Sequence, residues 1–464
     1  MLQDQTSEIF GSMPVRKAVV KQILPAIASQ MVTLIYNLAD TFFVGRLNIP
    51  AETAAITVSF SSFLMLSAIS NLFGVGGASA IARALGRGEG KEASQIAGIS
   101  FWCGVFSGIL YSLLYLSFEK PLLVLCGATN HTLEIAMEYT KWVIVIGGPF
   151  TILNALLANL VRAEGDALHA FIGISAGGVL NMILDPFFIL PRWLGLGAAG
   201  AGMATAISSA AAVVYFVGYL VLRRKTTVLS LSPLHLRYFR RHIGKILSIG
   251  FPSAMQAALT VVAVSVQSRF VSKYAVSAVA ALGIIKKLDQ LPIYFAMGVA
   301  SGLLPFLAYN HASGNHERRR EAFRFGCTVS CSFAVFCLII YEIFAPQLAG
   351  LFIQDPETIH YASGFLRRMV TAMPMMAICY PMITEFQATG EVRAALVCSM
   401  LRKGVLDIPL SIIFDKVYPL YGLMWVPPVI DTVSMLTAVL FERHHAPRSE
   451  HLKAHWKKGH RPMH

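Results

Sequence analysis

The sequence predicts an all-α integral membrane protein, with twelve transmembrane helices in two six-helix lobes related by a pseudo-two-fold axis, on three observations. Of 464 residues, 55% are hydrophobic and only 14% charged, and the mean hydropathy is +0.61, far from the composition of a soluble domain. The apolar residues gather into runs of about 20 or more, the length a helix needs to cross a bilayer. The runs also repeat at a spacing of roughly 225 residues. Gly148-Pro149 aligns with Met373-Pro374, and downstream Arg162-Ala163-Glu164-Gly165-Asp166 aligns with Gln387-Ala388-Thr389-Gly390-Glu391. Leu24-Pro25-Ala26 faces Phe251-Pro252-Ser253 with a shift of two residues. An even number of spans per repeat leaves both halves in the same orientation, and transporters built this way bind substrate between the repeats near the midplane.

In chain order, the first 22 residues hold Asp4, Glu8 and Pro14 and lack the short apolar stretch and cleavage site of a signal peptide, so the first span is expected to stay as an anchor. Residues 1–17 form an amino-terminal segment, and the first lobe covers 18–222 with spans near 18–45, 54–82, 95–117, 136–160, 167–190 and 198–222. A polar, basic linker follows over 223–243, with room for an interfacial helix. The second lobe covers 244–441, with spans near 244–270, 276–308, 323–345, 363–386, 394–414 and 419–441. Pro25, Pro149, Pro252, Pro292 and Pro374 lie inside these runs and are expected to kink or tilt them. A basic tail occupies 442–464.

Charge sets the expected orientation. Arg16, Lys17, Lys21, Arg83, Arg87, Lys91, the 223–245 basic run and Arg318, Arg319, Arg320 and Arg324 all fall on one side. The other side has only scattered cations such as Arg46, Lys120, Arg192, Lys273 and Lys416. The positive-inside rule places both termini in the cytoplasm, in a multi-pass protein of the cytoplasmic (inner) membrane. The formal charge of +13 therefore reads as topology; it has no aromatic-interleaved stripe of the kind that binds nucleic acid, and none is expected as a partner. The seven Cys contain no CxxC pair and suggest neither disulfides nor zinc. His444, His445, His451 and His455 in the tail match no strong ligand spacing and read as a solvated basic tail beside anionic lipid.

Gly195-x-Gly197-x-x-Gly200 satisfies the dinucleotide fingerprint in letters, but no strand precedes it; the small residues fit the close-packed start of span six. No Walker A lysine motif occurs, which argues against ATP-driven transport by this chain alone. Asp40 lies inside span one, where translocon scales put an Asp at about 2.5–3.5 kcal/mol, so it is expected to face a cavity or a partner; pairing with Arg46 near the interface is the alternative. Asn181 and Asp185, four apart, share a face of span five and could converge on one ion or proton, or simply end the helix at Pro186. Thr205 of span six could add a hydroxyl or bond its own backbone. Lys403 and Asp407 in span eleven read as a neutralising pair, and Lys286, Lys287 and Asp289 in span eight pose the same ambiguity. Met369, Met373, Met375, Met376 and Met382 crowd span ten and suit either ordinary packing or an adaptable pocket.

Four ordered motifs stand out: Asp40-x-x-x-Val44-Gly45, Gly74-Val75-Gly76-Gly77-Ala78 leading to Arg83-x-x-Gly86, Ala163-Glu164-Gly165-Asp166, and Gly298-x-x-x-Gly302-x-x-Pro305-x-x-x-Tyr309-Asn310. By these marks the chain resembles, over residues 15–441, the multidrug and toxic compound extrusion (MATE) family, and within it the DinF-like and MepA-like bacterial branches. The resemblance implies two lobes around a V-shaped cavity that rock between inward-open and outward-open states. It also implies a cation-coupling network of Asp40, Asn181, Asp185 and Thr205, which would take H+ or Na+ with no resident cofactor or metal. The NorM-like branch carries acids in spans seven and ten, where this chain has Gln256 and Gln267 and no acid before Glu385.

The function expected from these features is antiport of small amphipathic, often cationic, organic compounds against H+ or Na+ by alternating access, not enzymatic turnover. Tyr36, Asn37, Gln256, Met373 and Met376 are expected on the substrate cavity. Small-molecule substrates and membrane lipids are the expected partners, and the chain is expected to work as a monomer. The alternative is a flippase of the same superfamily for lipid-linked precursors, which would need a lateral groove and cations for a pyrophosphate; Lys286 and Lys287 supply the charge. A membrane-embedded enzyme or receptor fits less well, because the spans carry no His/Glu constellation and no Ser/Lys dyad.

Overall fold

The computed structural model describes residues 6–47, 49–271 and 273–459, with side chains omitted at Pro50, Ser265 and Val276 and from 444 onward. The tail histidines therefore lie outside the described side chains. Among the described residues the chain is helical throughout.

Span one is the helix Val15–Gly45, and spans two and three are Pro50–Gly86 and Gly90–Leu125. Span four is bent: Asn130–Thr140 runs through a π-helical turn, Lys141–Ile146, into Gly148–Ala163, with a 47° angle between the two parts. Pro149, at the start of the second part, explains the break, since its ring removes a donor and opposes a continuous helix. Spans five and six are Ala167–Ile189 and Gly197–Leu222. In the second half, Phe239–Val271, Val276–Ala312 and His316–Ile343 are spans seven to nine. Pro356–Met369 and Met373–Thr389 together make span ten, and Val426–Gly459 carries span twelve.

Span eleven departs from expectation. Two helices, Val392–Met400 and Asp407–Val417, flank a π-helical segment in which Lys403 (φ −140°, ψ 119°) and Gly404 (φ 106°, ψ −56°) are not helical. By length and apolarity, ten described helices can cross a membrane, or eleven with the bent pair of span four; the broken, charged span eleven does not pass that test. Lys403 and Asp407 consequently do not form the one-turn pair that an unbroken helix would give. Asp407 Oδ2 instead accepts the Gly404 backbone N–H at 2.6 Å, replacing a hydrogen bond the break removes.

Spans one to six pack mainly among themselves, as do seven to twelve, and the lobes meet where span one packs on eight, two on seven, and two on eight. A two-fold exchange of the halves converts the first of these contacts into the second, the relation anticipated from the repeat. Small residues permit the approach. A Cβ on Gly76 would lie 2.2 Å from the Ile246 carbonyl oxygen, and one on Gly302 would lie 2.7 Å from Ile23 Cα. These contacts sit in the basic half of the molecule, where Arg318 also donates to the Phe10 and Met13 carbonyls and Ser79 to that of Gln387. The lobes are thus held together at the basic end.

The segment joining the lobes is docked rather than loose. Thr227 Oγ1 and the Val228 N–H donate to the Glu164 carboxylate, Trp102 Nε1 donates to the Leu231 carbonyl, and a 3-10 turn spans Pro233–Tyr238. The glycines of the rejected dinucleotide match have conformational and packing roles. Gly195 and Gly197 take positive φ (63° and 57°), and a Cβ on Gly200 would lie 2.5 Å from the Phe188 carbonyl oxygen.

Candidate functional site

Three helices of the first lobe converge because their contact faces are small. A Cβ on Gly178 of span five would lie 2.8 Å from Val32 and 3.0 Å from Tyr36 of span one, and one on Gly177 would lie 3.1 Å from Ala212 of span six. Less than one helical turn beyond this close approach come Asn181 (2% exposed) and, four residues on, Asp185 (0%), both pointing inward.

Asn181 Nδ2 lies 3.4 Å from Asp185 Oδ1 and 3.5 Å from Thr205 Oγ1, joining spans five and six. The Asp185 carboxyl is also within hydrogen-bonding reach of Asp40 on span one. Two ionised carboxylates are acceptors only, so that contact needs one proton between them or a cation beside them. The remaining oxygens state the same requirement: Asp40 Oδ1, Asn181 Oδ1 and Asp185 Oδ2 are buried and have no hydrogen-bond partner. Buried polar atoms are rarely left so, at a cost of about 1–3 kcal/mol each, and here three such oxygens gather on two facing helices. Arg46, the alternative partner of Asp40, stacks instead on Phe42 at 5.3 Å.

Tyr139, which the sequence did not single out, lies within electrostatic reach of both acids, and Tyr36 within reach of Asp40. Nothing local marks Tyr139; it arrives from the helix before the bend of span four. Asn37, on span one, reaches the other lobe, with Nδ2 3.4 Å from the Tyr294 hydroxyl of span eight.

Tyr36, Asn37 and Gln256 are half-buried. Met373 and Met376 are not: they are 2% and 3% exposed, and Met373 belongs to the apolar core of the second lobe beside Val271, Ile285 and Leu366. In this conformation they are packing, as the size and flexibility of Met allow. Glu385, the acid at the end of span ten, pairs with Arg319 at 3.2 Å in the basic half, away from the network. No group of three or more His, Cys, Asp or Glu suited to a metal ion occurs among the described residues.

The MatE family model matches the chain twice, at residues 25–187 and 252–413, one match in each lobe. The chain is 28% identical over 439 residues to the multidrug export protein MepA of Staphylococcus saprophyticus subsp. saprophyticus, covering 95% of this chain and 96% of that one. MepA of Staphylococcus aureus matches to the same extent. Among solved structures, a MATE protein in complex with MaD3S superposes with a TM-score of 0.86 at 25% identity, over 95% of this chain and 97% of the other. The outward-facing conformation of a multidrug resistance MATE family transporter of the MOP superfamily gives 0.85 at 24% identity over the same shares, a likeness of fold.

Proposed function

The chain belongs to the MatE family, and from that premise we propose that it is a secondary antiporter, exporting small amphipathic and cationic organic compounds in exchange for H+ or Na+. The single observation that carries the coupling step is the group of three orphaned oxygens on Asp40, Asn181 and Asp185, with Thr205 at its edge. The multidrug export names of its relatives support the substrate class.

Coupling follows from the position of span one. That helix packs on span five within its own lobe and on span eight across the lobe boundary. A cation or proton at Asp40 and Asp185 removes their mutual repulsion and draws span one against span five; its loss releases span one. Because Asn37 of the same helix touches Tyr294 of the other lobe, a change at Asp40 is felt at the seam where substrate enters. Substrate and ion then favour different lobe arrangements, as differential affinity requires.

The basic, sealed end faces the cytoplasm in this reading, with both termini and the 223–243 linker on that side of the inner membrane and the cavity open outward. The working unit is the single chain, since the ion network lies wholly within one lobe. Labelling of single cysteines placed in 226–236 from the cytoplasmic side only is expected; labelling from the opposite side would invert the orientation.

The decisive experiment is gradient-driven transport of a cationic dye into inverted vesicles, with proton and sodium gradients imposed separately. Dye uptake under one gradient, lost on its collapse, is the expected result. Absence of uptake under either gradient for a panel of amphipathic compounds would sink the antiport reading.

A further inference from the structure

A second concentration of intramembrane charge lies in the other lobe, around the break in span eleven. A small cavity there is walled by Gln267 of span seven, Lys286 of span eight, Arg402, Lys403 and Asp407 of span eleven, and Asp431 of span twelve. Arg402 is 2% exposed, and its guanidinium lies 3.8 Å over the Tyr380 ring. Its Nε donates to Asp431 Oδ1 at 3.1 Å, but its Nη1 is buried without an acceptor. A charged donor left unmatched in a membrane interior is expensive, so such a group is kept where an acceptor arrives.

The cations of this cluster are less engaged than its acids. Lys286 and Lys403 add two ammonium groups to the wall, and neither forms an ion pair within 4.0 Å or a hydrogen bond among the described residues. Both wall acids are already engaged, Asp431 with Arg402 and Asp407 with the Gly404 N–H. Asp289, one turn along span eight from Lys286, is an electrostatic neighbour of Lys286, Lys403 and Arg402 off the wall; it balances the formal charge of the cluster, so it is the unmatched donors that favour an anion. The backbone break itself belongs to the site: Gly404 takes φ 106° against Leu259, where a Cβ would lie 2.8 Å from that side chain. Interrupted membrane helices are tolerated where they line a polar cavity.

We propose that this cavity is an anion subsite, taking a carboxylate group or a monovalent inorganic anion on Arg402, with Lys286 and Lys403 beside it. The subsite extends the efflux reading to acidic and zwitterionic compounds, and it rests on that reading only for what is transported. Equilibrium binding needs no gradient, so the two ideas fail separately.

The test uses the full chain in detergent and a xanthene dye carrying a free carboxylate, compared with its methyl ester, by fluorescence polarisation in methanesulfonate, chloride or acetate buffers of equal ionic strength. If the dye carboxylate fills the subsite, the acid binds more tightly than the ester by about tenfold or more. Lys286→Gln or Lys403→Gln then cuts that ratio about tenfold, and acetate competes. If an inorganic anion fills it, ester binding rises when chloride replaces methanesulfonate, and the same variants remove the chloride dependence. Both results support the subsite and separate its two sources. A wild-type protein indifferent to the dye carboxylate, to chloride and to acetate overturns the proposal, whatever the variants do. So does a preference that neither well-folded variant alters, since the charges would then serve only the broken helix.

Discussion

Asn37 Nδ2 of span one lies 3.4 Å from the Tyr294 hydroxyl of span eight, so the two lobes are tied less than one helical turn from Asp40. A neutral hydrogen bond of this kind contributes about 0.5–1.5 kcal/mol. Tyr294→Phe removes it while keeping the ring, and is expected to shift the lobe equilibrium away from the form sealed at the basic end by up to about tenfold. Distances between spin labels on the two lobes report the populations; unchanged distributions would show that the contact does not bias the states.

Asp40→Asn and Asp185→Asn are each expected to abolish gradient-driven efflux and leave a monodisperse protein in the membrane. An amide keeps the size of the carboxyl and can donate to the remaining acid, so packing survives, but it can neither release a proton nor attract a cation with charge. Efflux near the wild-type rate in both variants, at equal expression, would move the coupling site elsewhere.

Arg402 and Asp431 form a buried pair, with side chains 1% and 10% exposed. Removing one partner of such a pair costs about 3–5 kcal/mol, because the other is left as an uncompensated buried charge. Asp431→Leu is therefore expected to lower the melting temperature sharply, and Arg402→Met combined with Asp431→Leu to recover most of the loss. A double variant no better than the single one would refute the pairing energetics.

Asp407 acts on the backbone at the break and not on Lys403, so its amide and its alanine variants should differ. Asp407→Asn retains an oxygen for the Gly404 N–H and should be nearly neutral, whereas Asp407→Ala orphans that donor and should cost about 1–3 kcal/mol. Thermal melts of the pair decide it, since equal losses would assign the cost to charge.

Glu164 lies in the turn between spans four and five, outside the membrane segments. Burial pushes its carboxyl from 4.5 up to about 7, with hydrogen bonds from Thr227 and Val228 opposing the shift. Between those values the folded protein holds a proton that the unfolded chain has released, so stability is fullest below the lower one and falls as pH rises through the upper one. Glu164→Gln should flatten the melting temperature between about pH 5 and pH 8; a wild-type profile that rises over that window would contradict the assignment.

The repeat and the apolar runs were legible because they are local or periodic. Run lengths mark spans, and an internal match such as Pro149 with Pro374 marks two equivalent lobes. Asn181 and Asp185 could be placed on one face by helical spacing alone. The Met cluster was ambiguous in the sequence, because thioethers suit a core and a pocket equally; burial places Met373 and Met376 in packing in this conformation. The span-eleven pairing misled for a related reason: i,i+4 reasoning assumes a helix, and no letter in Lys403-Gly404 announces that the backbone leaves it.

By itself, then, the sequence determined the class of solvent, the number of crossings, the two-fold plan and the family, since each depends on composition or on spacing along one chain. Tertiary structure decided which charges meet. Asp40 reaches Asp185 because Gly178 lets span one close on span five. Arg402 reaches Asp431 from 29 residues away, and Asn37 crosses to Tyr294 over a separation of 257. In a low-dielectric interior the cost of a charge is set by the groups within a few ångströms of it, and that distance is a property of helix packing, not of the order of residues.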